Sequence, residues 1–311
     1  MAFLTSNSYG KERVRLTKIS RSGGRHEVHQ YSVEILLRGR FEEVYTKGNN
    51  APCIPTDTMK NTVYVVASRT EFSSPEGFAL ALAKQFIDRF PQIERVEVSI
   101  SMERWRRIVV DGAPHPHAFV KEHGRRTARI AHGRVSGNGG YPHLEGGIAG
   151  MELFKSSGSG FTGFYHDEYT TLPETDERIL ATTVDARWSY LPSAAQGPEE
   201  SFDGAWSTVE EIITLVFATH ESPSLQATLF AMGSEVVERI PIIESISFSM
   251  PNQHHILFDL ERFGIENQNR IFYGTDAPFG VINGTVSRDP VPPAGSADGG
   301  GRSGKAARGD R

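Results

Sequence analysis

Apolar and polar residues alternate in the first part of the chain. Residues 11–19 follow this period, which is typical of a strand with one buried face. Ser22, Gly23 and Gly24 predict a turn, and a second alternating segment, residues 31–45, returns in the opposite direction. These first two elements are therefore predicted to form an antiparallel β-hairpin.

Two helical patterns follow the hairpin. The first begins after Pro55, where Thr56 or Asp57 offers a side-chain oxygen to the free N–H groups of a first helical turn. The second covers residues 75–90 and begins with a proline. Its apolar residues recur four apart on one stripe, namely Phe78, Leu82, Phe86 and Phe90.

The same order of elements occurs twice along the chain. In the first half, strands predicted at residues 95–110 and 118–130 follow the two helices. A glycine-rich segment, residues 133–147, then interrupts the pattern as a loop or a link between halves. The second half repeats the order, with strands at 150–164 and 179–190, helices at 208–219 and 225–239, and strands at 244–260 and 270–286.

This repetition predicts two duplicated modules, residues 1–136 and 137–288. Each module is expected to be an antiparallel four-stranded sheet with two helices on one face, which places the fold in the α+β class. The open sheet edges favour pairing with further copies of the chain. Residues 289–311 are rich in Pro and Gly, and we expect them to form a disordered tail.

Composition restricts the class of protein. The chain is 38% hydrophobic, and no apolar run approaches the roughly 18 residues of a membrane span, so no membrane partner is expected. A formal net charge of −5 disfavours nucleic acid as a partner. The first residues lack the pattern of a secretory signal, and Cys53 is the single cysteine. We therefore expect a cytoplasmic protein without an intrachain disulfide.

Common metal-binding and catalytic motifs are not found in the sequence. The 11 histidines show no spacing such as HExxH, so no metal site is predicted. Residues 156–160 resemble half of a phosphate-binding loop but lack its Gly-Lys-Ser/Thr ending, which favours a tight turn. The triplet Gly158-Ser159-Gly160 also lacks the flanking strand and helix of a nucleophile elbow.

Four residues lie at turns or within predicted elements where their side chains could serve either structure or function. Phe161 follows the glycine turn, Arg178 precedes a strand, Gln226 opens a helix and Asn252 follows Pro251 within a strand pattern. Each also has an ordinary structural interpretation, as a core ring, a surface ion pair, a helix start or a turn residue. Their local patterns leave both interpretations open.

Several longer strings, taken together, resemble the urate oxidase (uricase) family over residues 9–288. The strings are YGKERVR (9–15), TDTMKNTVY (56–64), HPHAF (115–119), GFYHDEYTTL (163–172), VDARW (184–188), PSLQATLF (223–230) and MPNQHH (250–255). The resemblance implies a tunnelling fold of two duplicated modules per chain, assembled into barrels in a homotetramer. This fold agrees with the element order above.

The resemblance also implies an activity. Members of the family oxidise urate with O₂ and water to 5-hydroxyisourate and hydrogen peroxide, in purine degradation, without a metal or an organic cofactor. The expected partners are therefore urate, O₂ and further copies of the chain.

The matching motif positions imply roles in substrate binding. Arg178 and Gln226 would clamp two edges of urate, because a guanidinium fork and an amide offer the donors and acceptor that these edges need. Phe161 would stack on the purine face. The backbones of Asp57 and Leu225 would also contact the substrate.

Other matching positions imply catalytic roles. Lys11, Thr56 and His254 match the family's proton relay, and Thr56 also lines the substrate site. Asn252 matches the residue that holds O₂, and then water, over the ring, and strand parity predicts that it shares a face with His254. The resemblance further implies that Lys11 and Thr56 come from a different subunit than the substrate clamp.

Two alternatives compete with this interpretation. One is a non-catalytic purine-binding tetramer of the same fold, in which the set of matching residues would have lost its chemistry. The other is a zinc-dependent pterin or purine hydrolase of that fold, although Cys53 is in no arrangement suited to zinc.

Overall fold

One antiparallel sheet organises the computed structural model, which describes residues 2–134, 142–198 and 200–289. Within these ranges eight strands pair in chain order. They are β1 (Tyr9–Ser22), β2 (Arg25–Gly39), β3 (Ile93–Val110), β4 (Ala113–Gly133), β5 (His143–Lys155), β6 (Leu180–Tyr190), β7 (Ile243–Leu257) and β8 (Phe272–Ser287).

Four long helices pack against the sheet in two pairs, α2 (Thr56–Arg69) with α3 (Pro75–Arg89) and α4 (Glu200–Thr219) with α5 (Leu225–Arg239). A short helix, α1 (Glu42–Thr46), precedes the first pair, and short 3₁₀ turns lie at Pro192–Gln196 and Glu261–Phe263. No helix in the described ranges is long and apolar enough to cross a membrane.

The core lies between the helices and one face of the sheet. The predicted stripe on α3 is confirmed for Phe78, Leu82 and Phe86, which are fully buried, whereas Phe90 follows the helix and is partly buried. Alternate residues of β2, among them Val33 and Ile35, are buried opposite the helices. Burying a side chain of this size stabilises the fold by about 1.5–3 kcal/mol, so the apolar periodicity accounts for the layering.

The duplicated α+β architecture predicted from the element order is confirmed. β1–β4 and β5–β8 each carry two long helices, and the β4–β5 pairing joins the two halves into one continuous sheet. The first strand of each half also has a bulge at the same place. Register shifts occur between Lys11 and Val14 and between Ile148 and Met151, where Arg13 (φ 55°) and Gly150 (φ 73°) adopt left-handed backbone conformations.

A buried ionic network connects the two halves. Arg126 on β4 donates to Glu76 on α3 at 2.7 Å and to Asp203 on α4 at 2.5 Å. The hydroxyl of Tyr190 donates to the second carboxylate oxygen of Glu76 at 3.1 Å. Burial raises the pKa of Glu76, and the guanidinium of Arg126 opposes that shift. The network therefore fixes the α3 layer against the α4 layer, because losing one partner would leave a buried charge unpaired.

Some element boundaries differ from the predictions. The second strand ends at Gly39 instead of residue 45, because Phe41 is buried edge-on against Tyr9 at 5.0 Å and α1 follows it. The strand predicted at residues 150–164 is β5, which begins at His143 and ends at Lys155. α4 begins at Glu200 instead of residue 208.

Two other predictions fall outside the described part of the chain. The boundary between the modules at residues 136 and 137 lies in the first gap. The disordered tail was predicted for residues 289–311, of which 290–311 are not described. Both stay predictions.

Candidate active site

The segment after β5 folds back on itself and places Phe161 next to Arg178. Phe161 and Thr175 exchange backbone hydrogen bonds at 2.7 and 3.1 Å. The N–H of Arg178 donates to the carbonyl of Ser159 at 2.8 Å. This short ladder holds an irregular loop in a fixed shape, so that both side chains come from a rigid segment.

Arg178 has the environment of an anion-binding residue. Its Cζ atom lies 5.1 Å from the centre of the Phe161 ring, and its Nε atom is buried without a hydrogen-bond partner. Burial lowers the pKa of Arg178, and no carboxylate within the described residues forms an ion pair with it. Because an unpaired buried donor is costly, this guanidinium is suited to a planar anion that would satisfy it.

The start of α5 adds a second polar group. The Ser224 side chain accepts from the N–H of Ala227 at 3.1 Å and caps the helix, which confirms the predicted helix start. Leu225 is 1% exposed and anchors the first turn, whereas Gln226 is exposed. The free N–H groups of a first helical turn favour a negatively charged or carbonyl-rich ligand.

Asn252 lies on the helix-covered face of β7. It pairs in register with Thr182, which is 0% exposed and whose hydroxyl is buried without a partner. Alternation along the strand places His254 on the same face. The β7–β8 register shifts between Asn252 and His254, where β8 contains a cis peptide bond between Ala277 and Pro278.

The packing of α5 brings Gln226 toward Asn252. Leu229 lies over Gly284, and Gly233, one turn later, lies against Val286. The helix therefore runs toward the C-terminal end of β8. Its first residues point back toward Gly280 of β8, which pairs with Asn252 of β7. Phe161, Arg178, Leu225, Gln226, Asn252 and His254 thus belong to one end of the second half of the sheet.

Lys11 lies in the first half, beside the start of α2. It pairs with Ile35, and the bulge after it turns its side chain to the helix-covered face. The hydroxyl of Tyr9 accepts from the N–H of Ile54 at 2.8 Å and fixes the segment that leads into α2. The charge of Lys11 contributes to the low pKa of Asp57, after the larger effect of the Lys60 hydrogen bond.

The predicted side-chain cap of α2 is wrong. Pro55 occupies the capping position, Thr56 is the first helical residue, and no side chain caps the helix. The carboxylate of Asp57 instead accepts from Lys60 at 2.6 Å and from Asn61 at 2.8 Å. The first N–H groups of α2 therefore have no side-chain acceptor.

The two groups of residues lie at opposite corners of the sheet. When the register is followed from strand to strand across the sheet, the position of Lys11 on β1 corresponds to Ile243, at the start of β7. His254 lies about eleven residues further along β7, or about 36 Å at a rise of about 3.3 Å per residue. The strand register therefore places Lys11 far from His254 along the sheet of one chain.

Three further residues near Phe161 were not indicated by the sequence. Lys155, Ser222 and Thr228 form hydrogen bonds behind the Phe161 loop. The contact of Lys155 with Ser222 spans 67 positions in the chain, so no local pattern could have predicted it. Within the described ranges, no group of three or more His, Cys, Asp or Glu residues is placed to hold a metal ion.

Comparison with known proteins places the chain in a family. A sequence model described as uricase matches residues 7–130 and 144–283. The uricase of Arthrobacter globiformis is 41% identical over 92% of this chain and 90% of that protein, and the uricase of Cyberlindnera jadinii is 37% identical over 92% and 97%. The crystal structure of the Arthrobacter globiformis uricase superposes with a TM-score of 0.85 at 40% identity, covering 94% of this chain and 96% of that one. Because sequence and fold agree over most of its length, the chain belongs to the uricase family.

Proposed function

We propose that this chain oxidises urate with O₂ and water to 5-hydroxyisourate and hydrogen peroxide, as a cytoplasmic step of purine degradation that uses no metal or organic cofactor. The observation that carries the proposal is Arg178, a half-buried guanidinium without an ion pair that lies beside Phe161. A planar aromatic anion satisfies both groups at once.

Three side chains would bind urate, through charge, hydrogen bonding and stacking. Arg178 donates two parallel hydrogen bonds to one edge of the urate anion, which is the geometry a guanidinium favours. Gln226, at the start of α5, meets the opposite edge with one donor and one acceptor. The Phe161 ring stacks on the purine, a contact that contributes about 1–3 kcal/mol for bases on aromatic side chains.

The chemical steps transfer two electrons from urate to O₂. Removing a second proton gives the urate dianion, which is electron-rich enough to reduce O₂. Lys11, Thr56 and His254 relay the protons, so that O₂ leaves as hydrogen peroxide. Asn252 holds O₂ and then the water whose oxygen adds to the purine carbon. One urate, one O₂ and one water thus give one 5-hydroxyisourate and one peroxide.

The site requires more than one chain. Lys11 lies near one corner of the sheet and His254 near the opposite corner, which supports a site shared between two copies. The edge strands support such pairing, since β1 and β8 each pair with one neighbour only in the described part of the chain. Exposed apolar residues such as Tyr273 and Val281 on β8 favour a covered edge. The proposed assembly is a homotetramer of barrels.

A simple assay tests the proposed function. Protein treated with chelator and then freed of it is mixed with urate in air, and urate absorbance and peroxide are followed together. We expect urate to disappear with one equivalent of peroxide. Urate that persists while it still binds would favour the non-catalytic alternative, and activity that returns only with added metal would contradict the cofactor-free mechanism.

A further inference from the structure

The Phe161 loop and the start of α5 are connected through one buried residue, Ser222. The N–H of Gly160 donates to the Ser222 carbonyl at 2.9 Å, and the N–H of Ser222 donates to the Gly158 carbonyl at 3.0 Å. Ser222 is also only two residues before the α5 cap. A displacement of Ser222 therefore changes the separation of Phe161 from Gln226.

The side chain of Ser222 is held from two sides. Nζ of Lys155 donates to Ser222 Oγ at 2.9 Å and to the carbonyl of His220 at 2.7 Å. The hydroxyl of Thr228, which is fully buried on α5, donates to Ser222 Oγ at 2.7 Å. Burial lowers the pKa of Lys155. Hydrogen bonds from an ammonium are stronger than neutral ones, so Lys155 is the main restraint on this position.

The first half of the chain contains a related lysine without the hydroxyl link. Nζ of Lys18 donates to the carbonyl of Thr70, the residue directly after α2, as Lys155 does to the residue directly after α4. Two residues later the first half has Phe72, whose ring lies 4.2 Å from Nζ of Lys18. In the second half, the corresponding residue, two positions after His220, is Ser222. The lysine contact is therefore common to both halves, whereas the link to a site loop occurs in the second half alone among the described residues.

We propose that Lys155 is a positioning residue for substrate binding, which acts through Ser222 and Thr228 to set the separation between Phe161 and Gln226. This inference rests on the proposed function of the site. Lys155 itself does not touch the substrate. Its ammonium fixes Ser222, and the backbone of Ser222 fixes the loop.

Replacing the lysine tests the proposal. Lys155→Met is expected to raise KM for urate by about 5–20-fold and to leave kcat within about twofold, because the stacking and clamping groups are held less well before chemistry begins. Lys155→Arg keeps a charged donor and should retain a KM within about threefold of the unaltered chain. Lys18→Met removes the related contact in the first half and is the matched control, with no expected change in KM.

A second variant and a second measurement keep the test independent of folding and of activity. Thr228→Val keeps the shape of the buried side chain and removes its hydroxyl, so KM should rise in the same direction. Amide hydrogen exchange at Gly160 and Ser222 should be faster in Lys155→Met than in Lys18→Met. Exchange does not depend on urate oxidation, so it decides the proposal even if the unaltered chain leaves urate intact. Unchanged exchange, or an equal rise in KM for Lys18→Met, would overturn it.

Discussion

Replacing Arg178 by glutamine is expected to lower kcat/KM for urate by about 10²- to 10³-fold, mainly through a higher KM. Hydrogen bonds to a charged group contribute about 1.5–3 kcal/mol each, and the variant loses two of them to the urate anion. Glutamine keeps one amide donor, so some binding remains. Steady-state kinetics with urate, together with the thermal unfolding temperature, measure the effect.

Arg89 provides a matched control for this variant. Its guanidinium also lies over a phenylalanine ring, with 5.5 Å from Cζ to the ring centre of Phe90, but it lies at the end of α3. Arg89→Gln is expected to keep kcat/KM within about twofold, since it contacts no substrate group. An Arg178→Gln variant that binds urate as tightly as the unaltered chain would remove Arg178 from the clamp.

Replacing Lys11 by methionine is expected to lower kcat by about 10²- to 10⁴-fold while KM for urate changes little. A positioned acid or base typically contributes a factor of this size, whereas Lys11 is not a binding group for the purine edges. Methionine keeps the length and the apolar part of the side chain beside Ile35, so the fold should be retained.

The control for this variant is Lys84→Met. Lys84 lies on α3, and its ammonium pairs with Asp88 at 2.6 Å on the surface. Surface pairs of this kind contribute at most about 1 kcal/mol, so activity should be unaffected. If Lys11→Met turned over urate at the normal rate, another group would have to carry the proton relay.

The order of helices and strands could be predicted from the sequence because it depends on local periodicity. The Phe78 stripe on α3 and the Ser224 cap of α5 are properties of neighbouring residues. Boundaries that depend on tertiary contacts were predicted less well. β2 ends early because Phe41 packs against Tyr9, and neither residue indicates this by itself.

The direction of the Lys11 side chain could not be predicted from the strand pattern. In a regular strand, Lys11 and Val14 would face opposite sides of the sheet. The bulge at Arg13 adds one residue, so both face the helices, and Lys11 comes next to the start of α2. An extra residue in a ladder does not change the composition of the strand, and it therefore has no clear signal in one sequence.

Neither half of the chain contains a complete set of site residues. Ile148 lies before the bulge of β5, the position that Lys11 occupies before the bulge of β1. Gln226 follows the Ser224 cap by two residues, whereas Glu76 follows the Ser74 cap by two and is buried against Arg126. The proposed relay residue Lys11 and the proposed clamp residue Gln226 thus come from different halves of the chain.

Combining the two impaired variants shows whether each site is shared between two chains. Lys11→Met and Arg178→Gln chains are produced together in equal amounts, and kcat/KM for urate is compared with that of each variant alone. When the two variants assemble at random, about a quarter of the shared sites receive an unaltered Lys11 from one chain and an unaltered Arg178 from another. About a quarter of the unaltered activity should therefore return. Activity no higher than the average of the two separate variants would show that each site lies within a single chain and would contradict a shared site.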